Sequence, residues 1–259
     1  MSNSVILFCT HFISDFVLNS YRRIKNEVRC GYDVVLLIST NDKEILNLPT
    51  DINAYICDID SINSLEYNPI CETLLPGSCH FPLLRFYLDY PLYHFYWFIE
   101  YDVYFSGCWS NLFEDCDTNL GCYDFIGSQI SKYDIEKNGS WLWWTCKNES
   151  GFPLEKCVKG FNPICRYSRQ ALKCLDMHLS KGYCAHSEVM ITTCLYNNQM
   201  LIGDFGGQGE FVPEGWENKY YIPKSVDADD GSIRYRPVFS MEEIKSYMRT
   251  NTLFHPLKE

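Results

Sequence analysis

Long stretches of positive charge are absent from this sequence. Its 259 residues include 22 lysines and arginines against 33 aspartates and glutamates, so the formal net charge is −11. Because nucleic-acid-binding proteins need a basic face that neutralises phosphates, we expect no nucleic-acid partner. An anionic substrate would have to be met by a local cluster of cations or by a bound metal ion.

Closely spaced cysteine pairs and long apolar runs are also absent. The chain has 14 cysteines, but none forms the C-x-x-C pair that zinc ribbons and redox dithiols require. The first residues lack the basic start and long apolar core of a signal peptide, and no window is apolar enough to span a membrane. These absences predict a cytoplasmic protein without a transmembrane segment, whose cysteines are reduced and buried.

Apolar residues make up 46% of the chain and aromatic residues 16%, which is enough for one large core. Strand-like and helix-like patterns alternate in the first half, with strands predicted at residues 5–9, 32–38, 54–57 and 95–100. Ser14 is placed to cap a helix between the first two strands. This order predicts an α/β fold with a doubly wound, mostly parallel central sheet flanked by helices.

Patterns in the middle of the chain are weaker. We predict a short turn of helix at residues 109–112, a brief strand at 124–127 and irregular structure over most of 131–160. Residues 161–166 are expected to lead into a helix that Ser168 caps. The second half therefore has fewer elements that the sequence defines clearly.

The most informative segment is FYWFIEYDVYF at residues 95–105. Its apolar start predicts a strand buried on both faces, and Glu100 and Asp102 project to the same side at its end. Open α/β sheets bind ligands outside the carboxyl ends of their strands. The two acids are therefore placed to hold a hard cation and a phosphate-bearing substrate, unless the strand ends in polar residues simply because it reaches water.

Arg85 lies in the first turn of a helix predicted to begin at Pro82. Its helical neighbours are leucine, phenylalanine and tyrosine, so the guanidinium could face a cleft and grip a diphosphate or a sugar hydroxyl. It could equally pair with Asp89, one turn further along the helix.

Two groups of residues in the second half have both a structural and a functional interpretation. Glu188 follows a helix start near His186, where the helix dipole alone favours an acid. The aromatic faces of Trp141, Trp143 and Trp144 could stack on a sugar ring, although tryptophans also fill cores.

The order of these parts resembles the nucleotide-sugar-dependent glycosyltransferases of the GT-A fold, and in particular bacterial sugar transferases of that kind. The matching patches are FPLLRFYL at 81–88, FIEYDV at 98–103, FNPICRYS at 161–168, HSEV at 186–189 and FHPLK at 254–258. The resemblance implies a single domain, in which residues 1–130 bind the nucleotide sugar and residues 131–259 bind the acceptor and end in a lid-like tail. It also implies a nucleoside-diphosphate-sugar donor, a glycan or glycolipid acceptor and peripheral contact with a membrane through that acceptor.

The resemblance implies a metal-binding role for the acidic pair, with Mn²⁺ or Mg²⁺ as cofactor. Asp102 corresponds to the last acid of the family's Asp-x-Asp motif, whereas Glu100 replaces its first aspartate, as in some members. His255 would add an imidazole to the same metal. Arg85 and Lys258 would neutralise phosphate charge.

The remaining roles also follow from the resemblance. Thr10 and His11, at the end of the first strand, and Asp58 or Asp60, after the third, would contact the base and ribose. Glu188 would face the acceptor hydroxyl, as a general base if the anomeric configuration is inverted or as a positioning group if it is retained.

Two other functions remain open from the sequence. A metal-dependent nucleotidyltransferase also joins a doubly wound sheet to paired acids, but it would carry a glycine-rich basic loop after the first strand. Residues 10–15, THFISD, contain neither glycine nor lysine. A non-catalytic protein that binds a nucleotide sugar is the other alternative.

Overall fold

The computed structural model describes residues 4–40, 48–70, 77–146, 152–223 and 231–258. The strands are β1 (Ser4–Thr10), β2 (Tyr32–Ser39), β3 (Ala54–Cys57), β4 (Phe95–Glu100), β5 (Tyr104–Phe105), β6 (Phe125–Lys132), β7 (Val158–Ser168), β8 (Ile202–Asp204) and β9 (Leu253–Phe254). The helices are α1 (Asp15–Glu27), α2 (Ile59–Asn63), α3 (Phe81–Asp89), α4 (Trp109–Asn119), α5 (Ile135–Asn138), α6 (Arg169–Leu179), α7 (Ser187–Asn197) and α8 (Met241–Ser246). Short 3-10 turns lie at Leu142–Thr145 and Leu154–Lys156.

A seven-stranded sheet in the order β3-β2-β1-β4-β7-β6-β8 forms the centre of the molecule. The pairs from β3 to β4 are parallel, β7 is antiparallel to both of its neighbours, and β6 and β8 are parallel. The predicted fold class, an α/β fold with a mostly parallel central sheet flanked by helices, is confirmed. Strands from both sides of residue 130 belong to this one sheet.

The apolar runs of the central strands are explained by burial on two faces. In β1, Val5 and Leu7 join one hydrophobic cluster, and Ile6 and Phe8 join the cluster on the opposite face. All four side chains are fully buried. Because helices cover both faces of the sheet, successive residues of the strand must all be apolar.

Two predicted helix caps are confirmed. The hydroxyl of Ser14 accepts a hydrogen bond from the backbone N–H of Val17 at 3.3 Å, and that of Ser168 accepts from Ala171 N–H at 3.0 Å. Each serine satisfies a backbone donor that has no partner inside its helix.

Several predicted bounds in the middle of the chain are wrong. Helix α4 extends to Asn119 instead of ending at residue 112, and β6 extends to Lys132. The irregular structure expected over residues 131–160 includes α5 and the start of β7. Residues 161–166 do not merely lead into a helix but form the middle of β7.

Buried polar residues in β7 hid this strand from the sequence pattern. Arg166 is fully buried, ion-paired with Asp117 at 2.8 Å, and donates to backbone carbonyls at the end of α4, among them that of Cys116 at 3.3 Å. An arginine in the middle of a strand breaks the expected alternation. Here it supplies donors to carbonyls that the end of a helix leaves without partners.

A small second sheet joins two segments that are far apart in the sequence. β5 pairs antiparallel with β9, with Tyr104 opposite Phe254 and Phe105 opposite Leu253. β5 follows β4 almost at once, so this pairing brings the segment around residue 255 to the carboxyl edge of the central sheet. The sequence predicted a tail in this region but not its strand.

The cysteines that the structure describes form no disulfide bond, and many of them, including Cys57, Cys174 and Cys194, are buried in the core. Among the helices described, none has a stretch long and apolar enough to cross a lipid bilayer.

Candidate functional site

The predicted acidic pair lies where β4 ends at the edge of the sheet. Pairing with β1 continues past the strand, since the N–H of Tyr101 donates to the carbonyl of Cys9 at 2.9 Å. The chain then turns, with the N–H of Val103 donating to the carbonyl of Glu100 at 3.0 Å. Asp102 is only 5% exposed, whereas Glu100 is half-buried.

His255 completes a three-residue cluster with these acids. Its Nε2 lies 3.5 Å from Glu100 Oε2 and 3.5 Å from Asp102 Oδ1. Its Nδ1 is 2.8 Å from the carbonyl oxygen of Arg234. A carbonyl can only accept, so Nδ1 carries a proton, and Nε2 is the ring nitrogen that faces the two acids.

This cluster, hereafter the acid–histidine cluster (Glu100, Asp102 and His255), fits a divalent cation. One ligand atom from each residue lies within 4.8 Å of the others. Asp102 Oδ1 is buried and has no hydrogen-bond partner among the described residues. Two carboxylates and one imidazole are ligands that suit Mn²⁺ or Mg²⁺, and an orphaned buried oxygen calls for a cation.

The electrostatics of the cluster favour a positive charge at its centre. Burial opposes the charged form of His255, but Asp102 and Glu100 outweigh it and raise the pKa of the imidazole to about 9. Burial would also raise the pKa of Asp102, yet His255 and Lys258 hold it below its usual value. Lys258 contributes its Nζ at 3.5 Å from Asp102 Oδ2.

Two cavities meet at the acid–histidine cluster. The central cavity, of about 250 Å³, is lined by Glu100, Asp102, His255, Lys258 and Glu188 among others. A second one, the strand-end cavity of about 310 Å³, lies beyond the ends of β1 and β2. The residues that line both are Cys79, Phe98, Glu100, Asp102 and Lys258. A ligand that extends through both cavities would therefore pass the acids at its middle.

The structure brings Thr10 and His11 to this site, since both line the strand-end cavity. It does not bring Asp58, Asp60 or Arg85 to either cavity, as far as the described residues show. The exposed Asp58 caps α2 by accepting from Ser61 N–H at 2.9 Å. Arg85 forms an ion pair with Asp89, which is the alternative that the sequence left open.

Glu188 lies at the other side of the central cavity, in the first turn of α7. His186 caps this helix, because its Nδ1 accepts from the N–H of Glu188 at 3.3 Å. Burial, reinforced by the charge of Glu100, raises the pKa of Glu188 to about 8, although Lys159 and His255 oppose this shift. A carboxyl group with a pKa near neutrality can both accept and release a proton.

Two residues with no assigned role in the sequence carry unsatisfied polar atoms in the central cavity. Both ring nitrogens of His80 and both polar atoms of the Asn162 side chain are buried without a hydrogen-bond partner among the described residues. Burial, with a smaller contribution from His186, lowers the pKa of His80 to about 3, so its neutral ring offers one donor and one acceptor. A ligand rich in hydroxyl groups would satisfy these atoms.

Room for the Asn162 side chain comes from glycine. A Cβ at Gly127 would lie 2.6 Å from Asn162 Oδ1, and a Cβ at Gly160 would lie 2.9 Å from it. Asn162 falls in a patch that the sequence analysis singled out, but nothing in its spacing indicated a cavity. For His80, the sequence offered one indication of a role in the site, which is that the residue lies just before a helix that begins with a proline.

Both described side chains of the predicted tryptophan cluster, those of Trp141 and Trp143, pack in or against hydrophobic clusters. Trp143 is buried and donates from its indole N–H to the carbonyl of Asn138 at 2.6 Å. Trp141 is half-buried, and the ammonium group of Lys159 lies 4.0 Å from the centroid of its ring. The side chain of Trp144 lies outside the described residues.

No model of a known protein family matches the sequence, and no curated protein matches it. Among solved structures, the chain is similar to mouse xyloside xylosyltransferase 1 in its apo form, with a TM-score of 0.44 and 10% sequence identity over 79% of this chain and 85% of that chain. At this identity and TM-score, the likeness assigns no donor, acceptor or catalytic residue to this chain.

Proposed function

We propose that this protein is a metal-assisted glycosyltransferase, which moves a monosaccharide from a nucleoside-diphosphate sugar to a hydroxyl group of a glycan or glycolipid acceptor. The observation that carries the proposal is the acid–histidine cluster at the junction of two cavities. One cavity lies at the strand ends, where open α/β sheets bind nucleotides, and the other holds unsatisfied polar atoms that suit a sugar.

Asp102, Glu100 and His255 would hold Mn²⁺ or Mg²⁺. When bound, such an ion would stabilise the negative charge that develops on the departing diphosphate. The orphaned Oδ1 of Asp102 supports this role. So does Nε2 of His255, which faces both acids and would give up its proton when a metal ion binds.

The residues around the cluster would bind and orient the two substrates. Lys258 would neutralise a diphosphate oxygen, since its ammonium group borders both cavities. Thr10 and His11 would contact the nucleoside in the strand-end cavity. In the central cavity, His80 and Asn162 would hydrogen-bond the hydroxyl groups of the transferred sugar.

Glu188 would face the acceptor across the central cavity. Its raised pKa suits a group that takes the proton of the attacking hydroxyl, and the carboxylate would otherwise orient that hydroxyl. Arg85 and Asp58 have no part in this proposal, because the structure engages them in an ion pair and a helix cap away from the cavities.

A thermal-shift screen with UDP-glucose, GDP-mannose and a CMP-sugar, each with and without Mn²⁺, tests the proposal. We expect a diphosphate sugar to raise the melting temperature mainly when Mn²⁺ is present, because ligands that bind only the folded state stabilise it. The CMP-sugar lacks a diphosphate and should show no such metal dependence. Release of the nucleoside diphosphate is then measured with the sugar that binds.

Asp102→Asn removes the charge of one proposed ligand with little change of shape, and Asp15→Asn, on the exposed start of α1, is its matched control. Loss of metal-dependent stabilisation in the first variant alone supports the proposal. Stabilisation without turnover would instead indicate a nucleotide-sugar-binding protein. Equal metal-dependent stabilisation in both variants would refute the assigned metal site.

A further inference from the structure

A third cavity, of about 580 Å³, lies beside β6 and β7 and outside the site described above. We call it the lysine cavity, because Lys132, Lys137 and Lys159 line it. Among its described lining residues the acids are Asp134 and Glu210, so these residues together have a formal charge of +1, whereas the whole chain carries −11. An excess of positive charge in a concave site on an acidic protein favours an anionic ligand.

A bulge in β6 supplies part of the lining of this cavity. The register between β6 and β7 shifts twice, between Ile126 and Ser128 and between Ser128 and Ser131. Gln129, inside the bulge, has a φ of 53°, which is uncommon for a residue other than glycine. Backbone strain of this kind persists where surrounding contacts hold it, and it is often found at functional sites.

Firm contacts hold the bulge in place. The backbone N–H of Gln129 donates to the hydroxyl of Tyr221 at 3.0 Å, and its side-chain amide donates to the carbonyl of Ile233 at 2.6 Å. Tyr221 in turn donates to the buried carboxylate of Asp204, which also accepts from the N–H of Ile130 at 3.0 Å. The bulge is therefore held in place by hydrogen bonds to several other parts of the fold.

Lys159 is the residue that most needs a ligand. The rim lysines already have acids, since Lys132 lies 2.6 Å from Glu210 and Lys137 lies 3.3 Å from Asp134. Lys159 is only 8% exposed and forms no ion pair with any residue that the structure describes. A buried ammonium without an anion costs free energy, and accordingly burial lowers its pKa to about 8 despite the acids Glu188 and Asp204 nearby.

A short series of side-chain contacts links the lining of the lysine cavity to that of the central cavity. Trp141 lies against Lys159 and also contacts Phe161, with ring centroids 6.5 Å apart. Phe161 lines the central cavity and packs against His255 at 5.3 Å. A ligand in the lysine cavity is thus a few side chains away from the proposed acceptor position.

We propose that the lysine cavity binds an oxyanion, carboxylate or phosphate, that belongs to the acceptor. The inference rests on the proposed function only in naming the acceptor as the source of this anion. The buried ammonium of Lys159 would be the main contact, and the rim lysines would add attraction at longer range.

Isothermal titration without donor or metal tests the proposal. D-glucuronate carries a carboxylate, D-glucose 6-phosphate carries a phosphate, and D-glucose is the neutral control. We expect millimolar binding of at least one charged sugar and much weaker binding of glucose. The charged sugar that binds more tightly then distinguishes an acidic glycan from a phosphorylated one.

Lys159→Met keeps an apolar stem against Trp141 but removes the charge, and should weaken binding of the charged sugar roughly tenfold or more. Lys173→Met, on the exposed side of α6, is the matched control and should bind as the wild type does. Lys137→Glu reverses a charge at the exposed rim without disturbing the core, so it tests the site even if Lys159→Met does not fold. It should weaken binding severalfold.

Undiminished binding in Lys159→Met and Lys137→Glu, or no binding of either charged sugar to the wild type, overturns the proposal. These results test the anion site independently of the proposed transferase function. If charged sugars bind but no nucleotide sugar does, the anion site stands and the transferase fails. If nucleotide sugars bind and turn over but charged sugars do not bind, only the anion site fails.

Discussion

The backbone N–H of Leu257 donates a hydrogen bond to the carbonyl of Asp102 at 2.8 Å. This contact fastens the C-terminal segment to the loop that carries the acidic pair. It sets His255 on one side of Asp102 and Lys258 on the other, at 3.5 Å in each case. The cluster is therefore assembled by main-chain pairing, and its side chains can be replaced one at a time.

Replacing His255 by asparagine should weaken Mn²⁺ binding at least roughly tenfold, because it removes one of three proposed ligands. Binding is measured by electron paramagnetic resonance of free Mn²⁺, which needs no turnover. His94→Asn, at an exposed position, is the control and should bind as the wild type does. Equal affinities in the two variants would remove His255 from the ligand set.

Lys258→Gln should raise the KM for the nucleotide sugar about threefold to tenfold, since a half-exposed cation contributes modestly to binding a diphosphate. The difference from wild type should shrink as the salt concentration rises, because screening weakens the interaction. Lys245→Gln removes the same charge from an exposed position on α8. A KM that is unchanged in Lys258→Gln at low salt contradicts this role.

Glu188→Gln should lower kcat by roughly 10²- to 10⁴-fold if the carboxylate accepts the acceptor's proton. Affinity for the donor, measured by titration, should stay near the wild-type value, because Glu188 lies on the acceptor side of the central cavity. Glu214→Gln, on the surface, serves as control. A variant that retains full kcat would exclude a direct part in proton transfer.

Asn162→Leu should reduce the affinity for a nucleotide sugar without changing the affinity for the free nucleoside diphosphate. The reason is that the two polar atoms of Asn162 are unsatisfied and line the central cavity, not the strand-end cavity. The diphosphate alone is the internal control ligand, measured by titration with Mn²⁺ present. An equal loss for both ligands would indicate a structural role.

His80 should make the protein less stable in acid. Burial lowers its pKa to about 3 in the folded protein, against about 6.5 for an ordinary histidine. As the pH falls below 6.5, the unfolded chain gains a proton that the folded protein excludes, so the free energy of unfolding decreases by up to roughly 1.4 kcal/mol per pH unit. Above pH 6.5 this contribution is constant.

His80→Phe should therefore lose less stability than the wild type between pH 7 and about pH 5, as measured by urea unfolding. A phenylalanine also leaves no unsatisfied nitrogen at this buried position. His94→Phe is the control, because it makes the same change at an exposed position. The same loss of stability in wild type and His80→Phe would show that the ring of His80 is protonated in the folded state.

The sequence predicted the first half of the fold well because its strands are buried on both faces. A continuous apolar run such as that of β4 is typical of a strand buried on both faces. Ser14 and Ser168 cap helices through local hydrogen bonds, which the sequence alone can indicate. β7 was missed because Arg166 and Asn162 interrupt its pattern, one to satisfy the carbonyls of a helix end and the other to line a cavity. Both residues are explained by contacts with distant parts of the chain, which the local sequence pattern does not contain.

The same distinction applies to the site. Strand alternation predicted that Glu100 and Asp102 lie close together, and they do, although Asp102 belongs to the turn after β4 and not to the strand itself. The placement of His255 and Lys258 came from a resemblance and depends on the pairing of β5 with β9, which two-residue strands do not reveal in the sequence. His80 was missed because only the completed core shows that its ring nitrogens have no partners.

The short pairing of β5 with β9 determines when the proposed cation site is assembled and how it can be lost. Until the segment that contains β9 docks, the site has the carboxylates of Glu100 and Asp102. It then lacks both the imidazole of His255 and the ammonium group of Lys258. Proteolytic clipping near residue 250 would leave the seven-stranded sheet whole and yet discard half of the charged groups at its edge. A preparation nicked in this way would pass tests of folding while failing to bind the proposed cation.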